Sequence, residues 1–452
     1  MTDTTTDDAS RPGGGEYGHH GMKGRAQGQT MIELVLDPEN LQRAWRRVRA
    51  NAGAPGVDGM TVAAFPAFWR RQGTRLIAQL RAGTYRPAPV RRVFIPKADG
   101  SPRPLGVPTV LDRLIQQAVA QVLTSRFDRS FSDRSYGFRE DRNAHKAVRA
   151  VEAGWKAGRR YAVDCDLKAF FDSVNHDRLM GQLREQIHDR QVLGLIQRYM
   201  RARVVLPDGT REATLQGVPQ GGPLSPLLAN LTLDPLDKEL ERRGHHFARY
   251  ADDFLILVKS AKAAERVMAS LTRFIEGPLK LVVNRVKSRT APLDQCAFLG
   301  FQVSRQGRVV WSAVAQARFQ RRVRQITRRN RGHRVQDVIT ELRLYVTGWM
   351  QYFGISHTYS TVLALGDWIR RRVRLYYWKQ WQRPRTRRRH LLALGTPPEQ
   401  VRMATGSRKG YWRMSGNSVV QRAMNNRWLH DHGVPDLRAL WVALHYGPHA
   451  LV

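Results

Sequence analysis

Two adjacent carboxylates, Asp252 and Asp253, interrupt an otherwise largely apolar and aromatic stretch, His246-Phe247-Ala248-Arg249-Tyr250-Ala251-Asp252-Asp253-Phe254-Leu255-Ile256-Leu257-Val258. The pattern predicts a tight β-hairpin with acids at its turn. Ionised carboxylates side by side repel, and near apolar strands one has its pKa raised unless a cation neutralises the pair. A hard divalent metal, which prefers carboxylate oxygens, is the simplest neutralising partner. A solvated turn is the bland alternative, because Asp is a common turn residue. A Tyr/Phe-x-Asp-Asp string arises by chance in roughly one chain in ten of this size, so the pair alone decides little.

A second acid in a similar setting adds weight. Tyr161-Ala162-Val163-Asp164-Cys165-Asp166-Leu167 reads as a short strand ending in carboxylates, and Lys168 to His176 follows as a turn into a helix. Gln216-Gly217-Val218-Pro219-Gln220-Gly221-Gly222-Pro223-Leu224-Ser225-Pro226 is a Gly/Pro loop that opens an apolar helix from Leu227 to Leu236. Strand-acid, glycine loop-helix and hairpin-diacid, in this order, resemble the palm of a reverse transcriptase.

These groups need elements to hold them, and 452 residues at 42% hydrophobic content suffice for two or three domains with cores. The 75 Lys and Arg against 38 Asp and Glu leave a net charge of +37, far beyond what solubility needs, so a polyanion is the expected partner. The cations are interspersed with aromatic and apolar residues, which suits a folded binding surface better than a basic tail. Only Cys165 and Cys296 are present, so neither a disulfide framework nor a cysteine-based zinc site is supported, in keeping with a reducing cytoplasm. No apolar run reaches the roughly 18 residues needed to span a bilayer, and no charged-then-apolar leader opens the chain. Membrane insertion and secretion are not expected.

Residues 1–30 are polar and glycine-rich and are expected to be disordered; His19 and His20 lack a third metal ligand. A helix is predicted from Ile32, with Leu36, Leu41, Trp45 and Val48 on one face, up to the breaker at Ala52 to Gly59. Arg91 to Pro108 predicts a hairpin with an Asp99-Gly100 turn flanked by Lys97 and Arg103, supported by a helix over Val110 to Phe127. Ser135-Tyr136-Gly137-Phe138-Arg139 leads into a helix over Ala144 to Ala157. Beyond the palm strands, a helix over Ala261 to Ile275, a strand over Leu279 to Val283 and a hairpin at Phe298 to Phe301 are expected.

Residues 301–452 hold 28 Lys and Arg against 6 Asp and Glu, a net of +22, together with eight of the 11 tryptophans. Aromatic faces mixed with arginine suit unpaired bases and A-form backbones, although any single Trp is more often a core residue. Arg343 to Phe353, Leu365 to Arg374, Tyr377 to Trp381 and Ser407-Arg408-Lys409-Gly410-Tyr411-Trp412 resemble the maturase (thumb) domain of group II intron-encoded proteins. With the palm motifs, the resemblance covers roughly residues 32–446.

That resemblance implies an α+β right-hand polymerase: a disordered extension over 1–30, an N-terminal extension and fingers over 31–160, a palm with a split β-α-β sheet over 161–312, and an α-helical thumb/maturase domain over 313–452. Asp166, Leu167, Asp252 and Asp253 would contact two Mg²⁺ ions roughly 3.5–4 Å apart, one acting on the primer 3′-hydroxyl and one on the departing pyrophosphate. Lys97 and Arg103 would bind the triphosphate, Phe171 would gate against a 2′-hydroxyl, and Gln220 would touch the nascent base pair. Lys287 would donate a proton to pyrophosphate, with a structural lysine as the other reading, since Val286 stands where the family carries Glu. Asp164 and Asp172 would only orient the loop. Arg370, Arg371, Arg372, Arg374, Lys379, Arg408 and Lys409 would bind RNA. The implied partners are group II intron RNA, an RNA template with a DNA primer, dNTPs and a DNA target, in a bacterial cytoplasm. Nucleoid association and a homodimer stay open.

After the maturase segment neither a His-Asn-His arrangement nor paired cysteines follow, which resembles the endonuclease-lacking branch that includes class C introns. Three functions remain in view: an active RNA-directed DNA polymerase that also promotes splicing and retromobility, a splicing-only RNA-binding maturase, and a host-adopted reverse transcriptase in defence or repair. The second predicts lost acids, whereas Asp166, Asp252 and Asp253 are all present.

Overall fold

The computed structural model describes residues 30–96, 100 and 102–447. The expected disordered extension up to Gln29, with His19 and His20, and Lys97 at the predicted hairpin tip lie outside the described residues. The described residues fall into two compact units: those up to 127 with 176–215 and 219–225, and 128–175 with 216–218 and those from 226 onward.

In the first unit, the helix expected from Ile32 is two helices, Met31–Leu36 and Pro38–Ala50. The break is chemical: the Asp37 carboxylate accepts from the backbone N–H groups of Glu39 and Asn40, and Pro38 occupies the first helical position. Both helices pack on Val110–Phe127, which has the predicted bounds and is buried on most of its circumference. Within it, the buried Asp112 accepts from the hydroxyls of Tyr85 (2.7 Å), Thr109 (2.7 Å) and Tyr199 (3.2 Å), which satisfies an otherwise costly interior carboxyl. The predicted basic hairpin forms from Val90–Pro96 and Pro102–Val107, in register from Arg91 opposite Val107 to Pro96 opposite Pro102. Short strands Val204–Val205 and Arg211–Glu212 extend it to a four-stranded sheet.

The second unit is built on another four-stranded sheet, in which His246–Tyr250, Asp253–Val258, Tyr161–Cys165 and Arg289–Pro292 lie side by side, all antiparallel. Its two central strands are the acid-bearing ones. The helices Ala144–Lys156 and Ala261–Glu276 pack against this sheet. The strand predicted over Leu279 to Val283 does not form: Lys280 takes a left-handed φ of 53°, and only an isolated bridge between Leu167 and Val283 remains. The predicted hairpin at Phe298 to Phe301 is present and is extended by Val309–Trp311 into a three-stranded sheet.

The helical C-terminal part belongs to this second unit, and one apolar core runs from Ala147 and Leu255 through Trp311, Phe319 and Trp349 to Trp441. Trp349 stacks on Phe353 at 4.1 Å between ring centres, and the indole N–H groups of Trp311 and Trp441 donate to the carbonyls of Phe353 and Ser356. Of the eight tryptophans beyond residue 300, five are buried and Trp412 alone is exposed. The expected boundaries at 160 and 312 therefore do not coincide with the edges of the compact units. Helix Ala144–Lys156 groups with the strand His246–Tyr250, whereas residues 176–215 group with Val110–Phe127 through contacts such as Tyr199 to Asp112.

Candidate active site

The strand register decides which acids meet. Cys165 lies opposite Phe254, so Asp166, the next residue on one strand, and Asp253, the first residue of the other, stand at the same end of the sheet. Tyr250 pairs with Asp253, leaving Ala251-Asp252 as a two-residue turn. Loss of hydration raises the Asp253 carboxyl from the usual carboxylate range to about 7, and the charges of Asp164, Asp252 and Asp166 push the same way. The residue remains open to solvent on one side, and repulsion among the carboxylates adds to the effect of lost hydration. Asp164 is raised mainly by burial, with Arg289, 3.5 Å away, opposing the shift.

Asp166 is held from a segment downstream. The Asn284 side-chain amide donates to its carboxylate at 2.8 Å, the Asn284 backbone N–H donates to its carbonyl at 2.8 Å, and its own N–H donates to Ser288 Oγ at 3.0 Å. Lys287 stands in the same turn with its side chain exposed, and its N–H donates to the Asn284 carbonyl. Cys165 is buried beside this site with its thiol pushed up to about 12 by burial, which leaves it an inert filler and not a thiolate ligand.

A buried charge fixes the diacid turn. Arg249 is fully buried and forms a fork on Asp237, itself fully buried, with a closest approach of 2.5 Å. The guanidinium also donates to the carbonyl of Ala251 (2.9 Å), to Asn230 Oδ1 (3.0 Å) and to Ser135 Oγ (2.7 Å). Burial pulls the Asp237 carboxyl upward and Arg249 opposes it; a guanidinium that does not lose its proton keeps the pair charged. Ala251 has φ +58°, a left-handed conformation that costs an alanine on the order of 1 kcal/mol, so the turn persists because its surroundings over-determine it.

Ser135 to Arg139 supplies the rest of that support. The Tyr136 N–H donates to the Arg249 carbonyl, and the Arg249 N–H donates to the Arg134 carbonyl. A Cβ on Gly137 would come within 2.4 Å of the Ala251 nitrogen, so only glycine lets the diacid turn approach. Asn230 ties the two together, donating to the Gly137 carbonyl while accepting from Arg249. Sequence reasoning missed Arg249, Asp237 and Asn230. The available signal was an arginine at a position of a strand whose neighbours are all apolar or aromatic, where a lone charge demands a partner.

The glycine loop is divided between the units. In the second, Gly217 at φ +90° packs on Asp172, and the Val218 N–H donates to the carbonyl of Phe171, which meets Phe170 edge-on at 5.2 Å. In the first, the Gly106 N–H donates to the Gln220 carbonyl at 2.6 Å, and the exposed Arg103 donates through Nε to Gln220 Oε1 at 3.3 Å. Lys97 is outside the described residues.

The donor set suits a hard cation that completes its shell elsewhere. Carboxylates stand close enough to raise one another, yet among the described residues no group of three or more His, Cys, Asp or Glu side chains is arranged to hold a metal ion alone. Magnesium is commonly held this way, by one or two carboxylates with substrate phosphates and water.

The candidate RNA-binding cations separate by environment. Arg408 and Lys409 are exposed, and Lys379 sits over the Tyr411 ring at 5.3 Å. Arg370 pairs with Asp367 at 2.5 Å, and Arg371 stacks on Trp412 at 4.0 Å. Arg372 donates to Thr327 Oγ1 at 2.5 Å. Arg374 corrects the expectation: it is buried, and donates to the Met424 carbonyl (2.8 Å) and Asn426 Oδ1 (3.3 Å). Helix Tyr359–Gln380 buries every residue from Val373 to Trp378, so this arginine binds the protein's own backbone and is not presented to RNA.

Comparison with known proteins agrees with this layout. Residues 95–303 match the family model for reverse transcriptase (RNA-dependent DNA polymerase), and residues 316–395 match the group II intron, maturase-specific domain. The chain is similar to Protein YkfC of Escherichia coli (strain K12), 33% identical over 320 residues that cover 62% of this chain and 84% of that protein. It is also similar to the group II intron-encoded protein LtrA of Lactococcus lactis subsp. cremoris, 30% identical over 339 residues covering 60% of this chain and 56% of LtrA. Among solved structures, a chain of the partial Cas6-RT-Cas1--Cas2 complex is 26% identical with a TM-score of 0.36, covering 56% of this chain and 44% of that one. The chain belongs to the group II intron-encoded reverse transcriptases, RNA-directed DNA polymerases that carry a maturase-specific domain.

Proposed function

We propose that this protein copies an RNA template into DNA from a primer 3′ end, using dNTPs, and that its helical C-terminal part binds the intron RNA and promotes its splicing and mobility. The observation that carries the polymerase reading is the convergence of acids from two central strands on one end of the sheet, with the Asp253 carboxyl raised by loss of hydration and then by its acidic neighbours. Asp166, Asp252 and Asp253, with Leu167 adjoining, would hold two magnesium ions. When bound, magnesium would neutralise these carboxylates and act as a Lewis acid toward the primer hydroxyl and the nucleotide phosphates.

The chain's own groups have separate tasks. Arg103, a fork, and Lys97, a point charge, take the triphosphate. Phe171 presents an aromatic wall to the sugar and Gln220 a side-chain amide to the new base pair. Lys287, exposed on its turn, is free to give a proton to pyrophosphate. Arg249 and Asp237 keep the acids in place without touching substrate.

The test is Mg²⁺-dependent, template-primed dNTP incorporation by the full-length protein, run beside a splicing assay on the intron RNA. Incorporation by wild type and none by Asp166→Asn supports the reading. Splicing without incorporation would leave a maturase only.

A further inference from the structure

The second unit contains a cavity of about 660 Å³ whose lining includes Thr327, Arg328, Arg329, Lys379, Tyr411 and Trp412, with Arg372 in its wall and no acidic residue among the residues that line it. Its volume lies in the range of sites that enclose one small ligand, too small for a helix of paired bases. Arg329 and Lys379 flank the Tyr411 ring at 5.2 and 5.3 Å, and Arg328 and Arg329 are exposed. Arg371 stacks on the Trp412 ring at 4.0 Å and donates to its carbonyl at 3.2 Å, yet Trp412 still exposes 41% of its surface. Arg372 is committed to Thr327 and forms wall, not ligand contact. An indole braced by a guanidinium and open to solvent beside uncompensated cations is a costly arrangement for a free surface, and it matches the two faces of a nucleotide: a flat base and a phosphate.

We propose that this cavity takes a single unpaired nucleotide extruded from the bound RNA, its base stacked on Trp412 and its phosphate held by Arg328, Arg329 and Lys379. The inference rests on the RNA-binding reading above and adds what that reading lacks, a preference for an unpaired nucleotide over a continuous helix. Cations alone would grip any phosphate backbone, whereas the stacking face rewards only a base that has left its helix.

The experiment compares the affinity of the full-length protein for two RNA hairpins that differ by one bulged adenosine, with AMP as competitor. Wild type is expected to prefer the bulged hairpin by about tenfold or more, the scale of one stacked base. Trp412→Ala should collapse that ratio towards one and Trp412→Phe should retain most of it, while thermal unfolding of both variants stays at the wild-type midpoint. Equal affinity of wild type for the two hairpins, or a ratio untouched by Trp412→Ala, would overturn the proposal while leaving RNA binding itself standing. Failure to bind either hairpin would overturn both. AMP displacing the bulged hairpin at concentrations comparable to the RNA would reassign the cavity to a free nucleotide.

Discussion

The diacid turn and the basic helical region handle charge in opposite ways. At the turn, like charges are brought together and left repelling, held by a buried ion pair whose every donor is used. In the helical region, cations far outnumber acids, but many of them are already committed to ring faces, backbone carbonyls or Asp367. Unbalanced charge therefore marks a binding site only where the structure keeps it from finding an internal partner. The exposed Arg328 meets that condition; Arg374, which donates to the Met424 carbonyl, does not.

The sharpest way to break this contrast is at the acids. Asp252→Asn is expected to abolish Mg²⁺-dependent cDNA synthesis while intron RNA binding is retained; synthesis at the wild-type rate would remove Asp252 from the metal site. Next comes the support beneath. Asp237→Asn leaves Arg249 buried without its counter-charge and should cost about 3–5 kcal/mol in denaturant unfolding. A loss below about 1 kcal/mol, the worth of a surface pair, would show that the turn is anchored by something else.

The raised Asp253 carboxyl should also appear as a pH dependence. Because the folded-state pKa of Asp253 lies above its unfolded value, the folded protein holds more protons between about pH 4 and 7, so stability of the metal-free protein should fall as pH rises through that window. Asp253→Asn should flatten the fall, and an unchanged slope would show that Asp253 is not raised in the folded protein. The smallest effects belong to the basic region: Arg408→Ala should lower the slope of log affinity for RNA against log salt by about one at most. Arg374→Ala should leave the slope unchanged and lower the unfolding midpoint instead.

Much of this layout was legible from local pattern. Helix Val110–Phe127 and the strand at Tyr161 appear with nearly the expected bounds, because each carries apolar residues at the spacing of its element between local stop signals. The split at Asp37 was also legible, since Asp followed by Pro is a helix start, but the apolar face continues across it and hides the break. Long-range organisation was not. Nothing in the spacing of Arg249 and Asp237 says that they form a fork, and the grouping of residues 176–215 with the N-terminal helices depends on tertiary contacts such as Tyr199 with Asp112. The charge run from Arg370 to Arg374 misled for a related reason. Arginine heads can be tucked against carbonyls, so a run of cations on a helix does not by itself define a solvated face.

The central claim, that acids from two strands form one cation site, is tested most directly by the thermal shift that Mn²⁺ induces in wild type, Asp166→Asn, Asp252→Asn and the double variant. One shared site predicts that either single substitution removes the shift and the double variant loses nothing more. Single variants that each keep part of the shift, adding up to the loss in the double, would place the two acids at independent sites and contradict the account.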